Sequence, residues 1–293
     1  MIFKVRIAWI QGGAVTLPGF TLAYEAWEGE HHFAIFDVDA DAVLDLFAET
    51  IRDLYVESDT LRITLTSALA GLDDVVDLQD IEALVSEVTE AAVPLPGQNQ
   101  TKPHLDMARN EAAEVLAHLV AERLHGGLVV ANRVRNKEIP GQPTRGMDLL
   151  ALEESSPKQL RLVCGEVKAS SSNSSPPAVV DKADDSMRNQ LKRTISDHAR
   201  ILQELNWAHK HAKDGNKPMV ARAMLLWTRK KLPVVILPVL MRTSETGQES
   251  DFGTFKSKPT EFTPAVIRFF LAKISISIEE FAERAYTKAR EVG

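Results

Sequence analysis

Asp148, Glu166 and Lys168 are the side chains whose types and spacing could do chemistry. Asp148 follows Arg145-Gly146-Met147 and opens an apolar run, and Glu166-Val167-Lys168 closes another that starts at Leu162. In a strand alternate side chains share a face, so Glu166 and Lys168 project the same way, roughly 7 Å apart, while Val167 points into the opposite layer. If the two runs pair through a hairpin around Glu153 to Gln159, Asp148 comes to lie beside Glu166; register decides this. Two carboxylates, completed by the backbone carbonyl of Val167 and by waters, suit the oxygen-only, near-octahedral preference of Mg2+ or Mn2+.

A phosphodiester is already anionic and repels hydroxide. A divalent ion lowers the pKa of a bound water and offsets charge in the transition state, and a lysine beside it positions the nucleophile. The same three residues in isolation also fit a surface salt bridge on an edge strand.

These residues need elements to position them. Ala112, Val115, Leu116, Leu119, Val120 and Leu124 recur at helical spacing, with Glu111, Glu114, His118 and Glu122 on the other side and Gly126-Gly127 ending the helix. Strands are expected near Leu128 to Asn132, up to Asp148 to Leu152, and through Glu166. A Ser/Pro-rich loop, Ser170 to Pro177, leads to one long amphipathic helix with Met187, Leu191, Ile195, His198, Leu202 and Leu205 inward. Val234 to Leu240 reads as a buried strand whose far end Pro238 demotes. Ser277 with Glu280 suggests a capping box for a last helix reaching about Arg290. The order is α-β-β-β-α-β.

At Asp148, Glu166 and Lys168 the chain resembles the PD-(D/E)xK nuclease superfamily. Arg109 to His118, Gly146-Met147-Asp148 and Gly165-Glu166-Val167-Lys168 further resemble the nuclease subunit of Hachiman-type anti-phage systems. The resemblance covers about residues 105 to 240. It implies an α/β (α+β) fold with a restriction-endonuclease-like core, a mixed sheet flanked by helices. It implies Asp148 and Glu166 as metal ligands, Lys168 as the catalytic lysine and an assisting helix glutamate. Glu114 is preferred to Glu111 because Ala117 and Ala121 let its side of the helix approach the sheet. A superfamily 2 helicase partner is also implied. Asn110 and Ala113 stand where that pattern usually has glycine.

Net charge divides along the chain. The first 100 residues carry 4 Lys+Arg and 18 Asp+Glu, whereas the remaining 193 carry 30 and 23. The alternation of strand-like pieces before Val38 (Phe3 to Ile10, Gly19 to Trp27, His32 to Val38), the helical spacing from Val43 to Tyr55, a further strand over Leu61 to Leu65 and a second helix near Ile81 suggest an acidic α+β regulatory or docking module over 1–93. The proline-punctuated stretch 94–103 reads as a linker, and 104–293 as the nuclease domain. Local charge rather than the whole-chain balance governs polyanion binding. Arg188, Lys192, Arg193 and Arg200 avoid the apolar stripe of the long helix and are candidate DNA-backbone contacts; a solvated helix face is the alternative.

Several classes are excluded or disfavoured. No apolar run approaches the roughly 18 residues of a membrane span, and the start lacks a secretion-signal core, so a cytoplasmic location is expected. A single cysteine, Cys164, permits no internal disulfide, and no histidine joins it in a zinc-ligand spacing. Asp251-Phe252-Gly253 reads as a turn, for no glycine-rich phosphate loop accompanies it. The expectation is a metal-dependent deoxyribonuclease of antiviral defence controlled by a helicase. The alternatives are a restriction or repair endonuclease without a helicase, and a non-catalytic DNA-binding or assembly protein.

Overall fold

In the computed structural model, residues 17–68, 77–95, 107–131, 134, 146–156 and 159–291 are described. The expected strand over Phe3 to Ile10, most of the 94–103 linker and Arg145 lie outside them. Among the described residues seven strands form one mixed sheet in the order β1-β2-β7-β6-β5-β4-β3. The strands are β1 (Phe20–Glu28), β2 (His31–Val38), β3 (Leu128–Val129), β4 (Leu149–Ser156), β5 (Gln159–Ala169), β6 (Val234–Thr243) and β7 (Val266–Ile274). β3, β4 and β5 are antiparallel, and β5, β6, β7 and β2 run parallel.

Side-chain alternation divides the core into two layers. Val163, Val167, Leu237, Val239, Phe270 and Ala272 point to one face, which is covered by α1 (Ala40–Tyr55), α4 (Met107–Leu119) and α10 (Ile278–Arg290). Leu162, Cys164, Ile236, Leu240, Phe269 and Leu271 point to the other. That face carries α5 (Ala178–Asp181), α6 (Met187–Ser196), α7 (His198–His211), α8 (Lys217–Thr228) and α9 (Gly253–Ser257). Strands buried on both faces read as near-continuous apolar runs, as β6 does. The expected α-β-β-β-α-β order is present from α4 to β6, and β7 and α10 extend it.

The division expected at residues 94–103 does not separate two cores. β2 pairs in parallel with β7 from His32↔Arg268 to Val38↔Ile274, and Val43, Phe47 and Ile51 of α1 share a layer with Phe281 and Tyr286 of α10. Each half supplies strands to the same sheet, and the acidic stretch is built into the same helical layer as α10. Among the described residues, α2 (Ser58–Ala68) and α3 (Leu78–Ala92) stand toward its margin, with Ile63 and Leu78 exposed.

Three local expectations are corrected. Leu61 to Leu65 lies in helix α2 rather than a strand, where Arg62 pairs with Asp59 one turn back and with Glu82 of α3. Short apolar alternation is ambiguous, and contact with a neighbouring helix decides it. The long helix breaks at Asp197, whose extended backbone lets its carboxylate accept from the N–H groups of Ala199 and Arg200, ending α6 and capping α7. His198, expected inward, is exposed as a result. Pro238 sits in the middle of central strand β6 opposite Glu166, and the β6–β7 pairing skips Leu237 and Pro238. The missing proline N–H is accommodated by that local lapse rather than by an edge position. Among the described residues no helix is long and apolar enough to cross a membrane.

Candidate active site

The β4–β5 register is Leu149↔Gly165, so Asp148, one step before β4, stands level with Glu166. Gly165 permits this close approach: a Cβ there would lie 2.7 Å from Leu149 Cβ and force the strands apart. The carboxylate of Asp148 then accepts the backbone N–H of Val167 at 2.9 Å. Glu166 and Lys168 continue the alternation of Leu162 and Cys164, while Val167 packs in the opposite layer as expected.

Lys168 Nζ lies 2.9 Å from Glu166 Oε1. The angle is poor, however, and Oε1 is buried without a hydrogen-bond partner. The contact is an ion pair rather than a hydrogen bond. A carboxyl buried in this way is costly to ionise unless further positive charge joins that of Lys168.

Glu114 arrives from α4. It retains partial surface exposure as a residue, yet lost hydration is the largest influence on its carboxyl; with repulsion from Asp148 and Glu166 it pushes the group up to about 8 against the pull of Lys168. Burial and Asp148 push Glu166 up to about 8 in the same way. For Lys168, burial alone would lower the pKa, but Glu166, Asp148 and Asp185 outweigh it and raise it. Several carboxylates around one ammonium make an excess of negative charge, which is the electrostatic character of a cation site. Among the described residues no three His, Cys, Asp or Glu side chains form a metal-binding group by themselves. An ion at this position therefore also needs oxygen from backbone, water or a substrate phosphate, as Mg2+ usually does.

Glu111, expected on the outer side of α4, is buried at 1% exposure. The hydroxyls of Tyr55 and Tyr286 both donate to its Oε2, the latter at 3.0 Å. β4–β6 cover one side of the helix and α1 and α10 another, which encloses Glu111 and leaves only the stripe of Asn110, Glu114 and His118 partly open. Of the two helix acids, Glu114 adjoins Asp148, Glu166 and Lys168 electrostatically, and Glu111 is engaged by α1 and α10.

Two arginines escape sequence reasoning. Arg109 at the start of α4 is buried; its Nε donates to Glu279 Oε1 at 2.6 Å, and its Nη groups lie 3.5 Å from the carbonyl of Ala169, next to Lys168. Arg242 at the end of β6 is fully buried against Asp251. It donates to Asp251 Oδ2 at 3.1 Å, to the carbonyl of Ser170 at 3.0 Å and to those of Ser174 and Thr246 at 3.3 and 3.2 Å. Ser175 Oγ donates to Asp251 Oδ1 at 2.5 Å. The serine loop after Lys168 is thus fixed from beneath by one guanidinium. An isolated Arg beyond an apolar run and an Asp-Phe-Gly triplet carry no local signal of this pairing.

The four candidate DNA contacts do not share one free face. Arg188 and Lys192 both reach Glu261 Oε2, at 2.6 and 3.0 Å. Arg193 turns back to the carbonyls of Asn189 and Asp184, and Arg200 belongs to the separate helix α7. A cleft of about 410 Å3 at the far end of α4, lined by Asp53, His118, Glu122 and Lys213 among others, contains none of Glu114, Asp148, Glu166 or Lys168.

A mixed α/β sheet with helices on both faces, and with acids and a lysine meeting where β4 begins and β5 ends, defines an α/β protein of nuclease-like fold. The HamA family model matches residues 22–284, and the chain belongs to the HamA family. That membership suggests a role in the Hachiman defence system. No curated protein matches the chain.

Proposed function

We propose that this chain is a Mg2+- or Mn2+-dependent deoxyribonuclease that hydrolyses phosphodiester bonds in Hachiman defence. The observation that carries the reading is Glu166 Oε1: buried, without a hydrogen bond, 2.9 Å from the Lys168 ammonium, on a carboxyl that feels Asp148 and in turn acts on Glu114. The donor set suits a hard divalent ion, with Asp148, Glu166 and the Val167 carbonyl as protein ligands. When bound, such an ion supplies a water of lowered pKa and positive charge near the scissile phosphate.

The chain's own groups do the rest. Lys168 stays protonated because its acidic neighbours raise its pKa, so it can orient an attacking water and stabilise developing negative charge. Asp148 is held by the peptide N–H between Glu166 and Lys168, which limits its freedom to swing away. Glu114, with its pKa pushed up to about 8, can take and return a proton close to neutrality. Control by a superfamily 2 helicase remains part of the proposal, and the exposed apolar margin of α2 and α3 offers a surface for a partner.

Plasmid nicking by the full chain with Mg2+, with Mn2+ and with EDTA, beside Lys168→Ala, tests the reading. Metal-dependent cutting that Lys168→Ala abolishes is expected. Equal cutting in EDTA, or by Lys168→Ala, would refute it. Copurification with a helicase tests the partner separately.

A further inference from the structure

Glu261 occupies a position that a phosphate would suit. It lies in the short 3-10 turn Pro259–Phe262, anchored by the buried Phe262 ring stacked on Phe255. From α6, Arg188 Nη2 and Lys192 Nζ converge on the same oxygen, Glu261 Oε2. One anionic oxygen between two cations from successive turns of a helix is a small anion-binding arrangement.

The fit to the carboxylate is incomplete. Only Nη2 of Arg188 donates to Glu261, while Nε is buried and has no acceptor. A guanidinium paired with a phosphate or a well-placed carboxylate uses two parallel N–H groups. Arg188, Lys192 and Glu261 all remain partly exposed, so their ion pairs are weak and open to a competing polyanion. Location adds to this. Asp185, three residues before Arg188, is close enough to act on Lys168, so α6 starts at the lip of the active site.

We propose that Glu261 is a built-in stand-in for a backbone phosphate, displaced when duplex DNA lies across α6, and that it sets the affinity and salt dependence of binding. The nature of the polyanion rests on the nuclease reading. The displacement itself does not depend on cutting. With Glu261 in place, DNA must break two ion pairs to gain two phosphate contacts, which lowers its affinity without blocking access.

Anisotropy of a labelled DNA duplex in EDTA, titrated with full-length wild type and with Glu261→Gln over a series of salt concentrations, tests this. Glu261→Gln is expected to bind about threefold to tenfold tighter, with a plot of log affinity against log salt steeper by about one. In an Arg188→Ala/Lys192→Ala background the same substitution should have no effect, because the coupling runs through those two cations. Superimposable titrations for wild type and Glu261→Gln would overturn the inference, as would a gain that persists without Arg188 and Lys192, or no binding by either protein. An affinity gain in a chain that never cuts with Mg2+ would leave the inference standing and refute the nuclease reading. Metal-dependent cutting with no affinity gain would do the reverse.

Discussion

Asp148 Oδ2 accepts the N–H of Val167 at 2.9 Å, so the first acid is fastened to the peptide unit that separates Glu166 from Lys168. This ties the position of one carboxylate to the backbone of the strand that carries the other two groups. Rotation of Asp148 away from the site would leave that amide without its acceptor.

Asp148→Asn and Asp148→Ala should therefore separate chemistry from architecture. The asparagine keeps an oxygen for the Val167 N–H, so its thermal stability should stay near wild type while nicking falls by about a hundredfold or more through loss of the anionic ligand. The alanine should lose activity equally and also about 1 kcal/mol of stability with the hydrogen bond. Full nicking by Asp148→Asn would remove Asp148 from the proposed ligand set.

Glu114 and Glu166 predict a dependence on pH. Both carboxyls are pushed up to about 8 from an ordinary value of 4.5, by burial first and by the Asp148 carboxylate second. In the unfolded chain they release their protons near the ordinary value, so between that point and about 8 the folded chain holds more protons than the unfolded one. Stability in EDTA is then greatest at the acid end of the window and falls as pH rises through it, provided other groups are matched by comparison with Glu166→Gln, which should flatten the decline. Mg2+ binding near neutrality should release protons and tighten with rising pH. Unfolding temperatures in EDTA and with Mg2+ across the window check both signs. A decline equally steep in Glu166→Gln would show that other groups cause it.

Arg242 and Asp251 form a pair with no exposure on either side chain. Removing one partner leaves a buried charge unmatched, and a loss of about 3–5 kcal/mol is expected for Arg242→Met or Asp251→Asn in urea unfolding. The serine loop should also become susceptible to limited proteolysis, since the carbonyls of Ser170 and Ser174 lose their donor. A loss below about 1 kcal/mol would mean that the loop is held by other contacts.

The readable part of this fold is the part governed by short-range patterns. The shared face of Glu166 and Lys168 is legible because period-two alternation assigns it, whereas the register that sets Asp148 level with Glu166 is supplied by the β4–β5 pairing. Gly165 reinforces that register by its lack of a Cβ. The sheet's continuation into β2 was not legible, because parallel pairing of His32–Val38 with residues more than two hundred positions away leaves no mark on local spacing. Nor was the burial of Glu111, whose helix shows one strong apolar stripe although α1 and α10 also cover the side that Glu111 faces. The break at Asp197 had a visible cause, an acid suited to an N-cap, that the continuing apolar spacing overrode.

Glu111 and Glu114, one turn apart on α4, should fail in opposite ways. Glu111 accepts hydroxyls from Tyr55 of α1 and Tyr286 of α10, joining three helices at one buried carboxylate. Glu111→Ala leaves two phenols to find other acceptors in the core, so a destabilisation on the order of 3 kcal/mol is expected. Glu114 instead answers to Asp148, Glu166 and Lys168, and its carboxyl is uncomfortable where it is. Glu114→Gln removes a charge from an already anionic site, so the metal-free chain should be as stable as wild type or more so near pH 8, while cutting with Mg2+ falls. Thermal unfolding and nicking measured on both variants give the contrast directly. Activity lost in folded Glu111→Ala but kept in Glu114→Gln would reverse the assignment and make Glu111 the helix acid of the site.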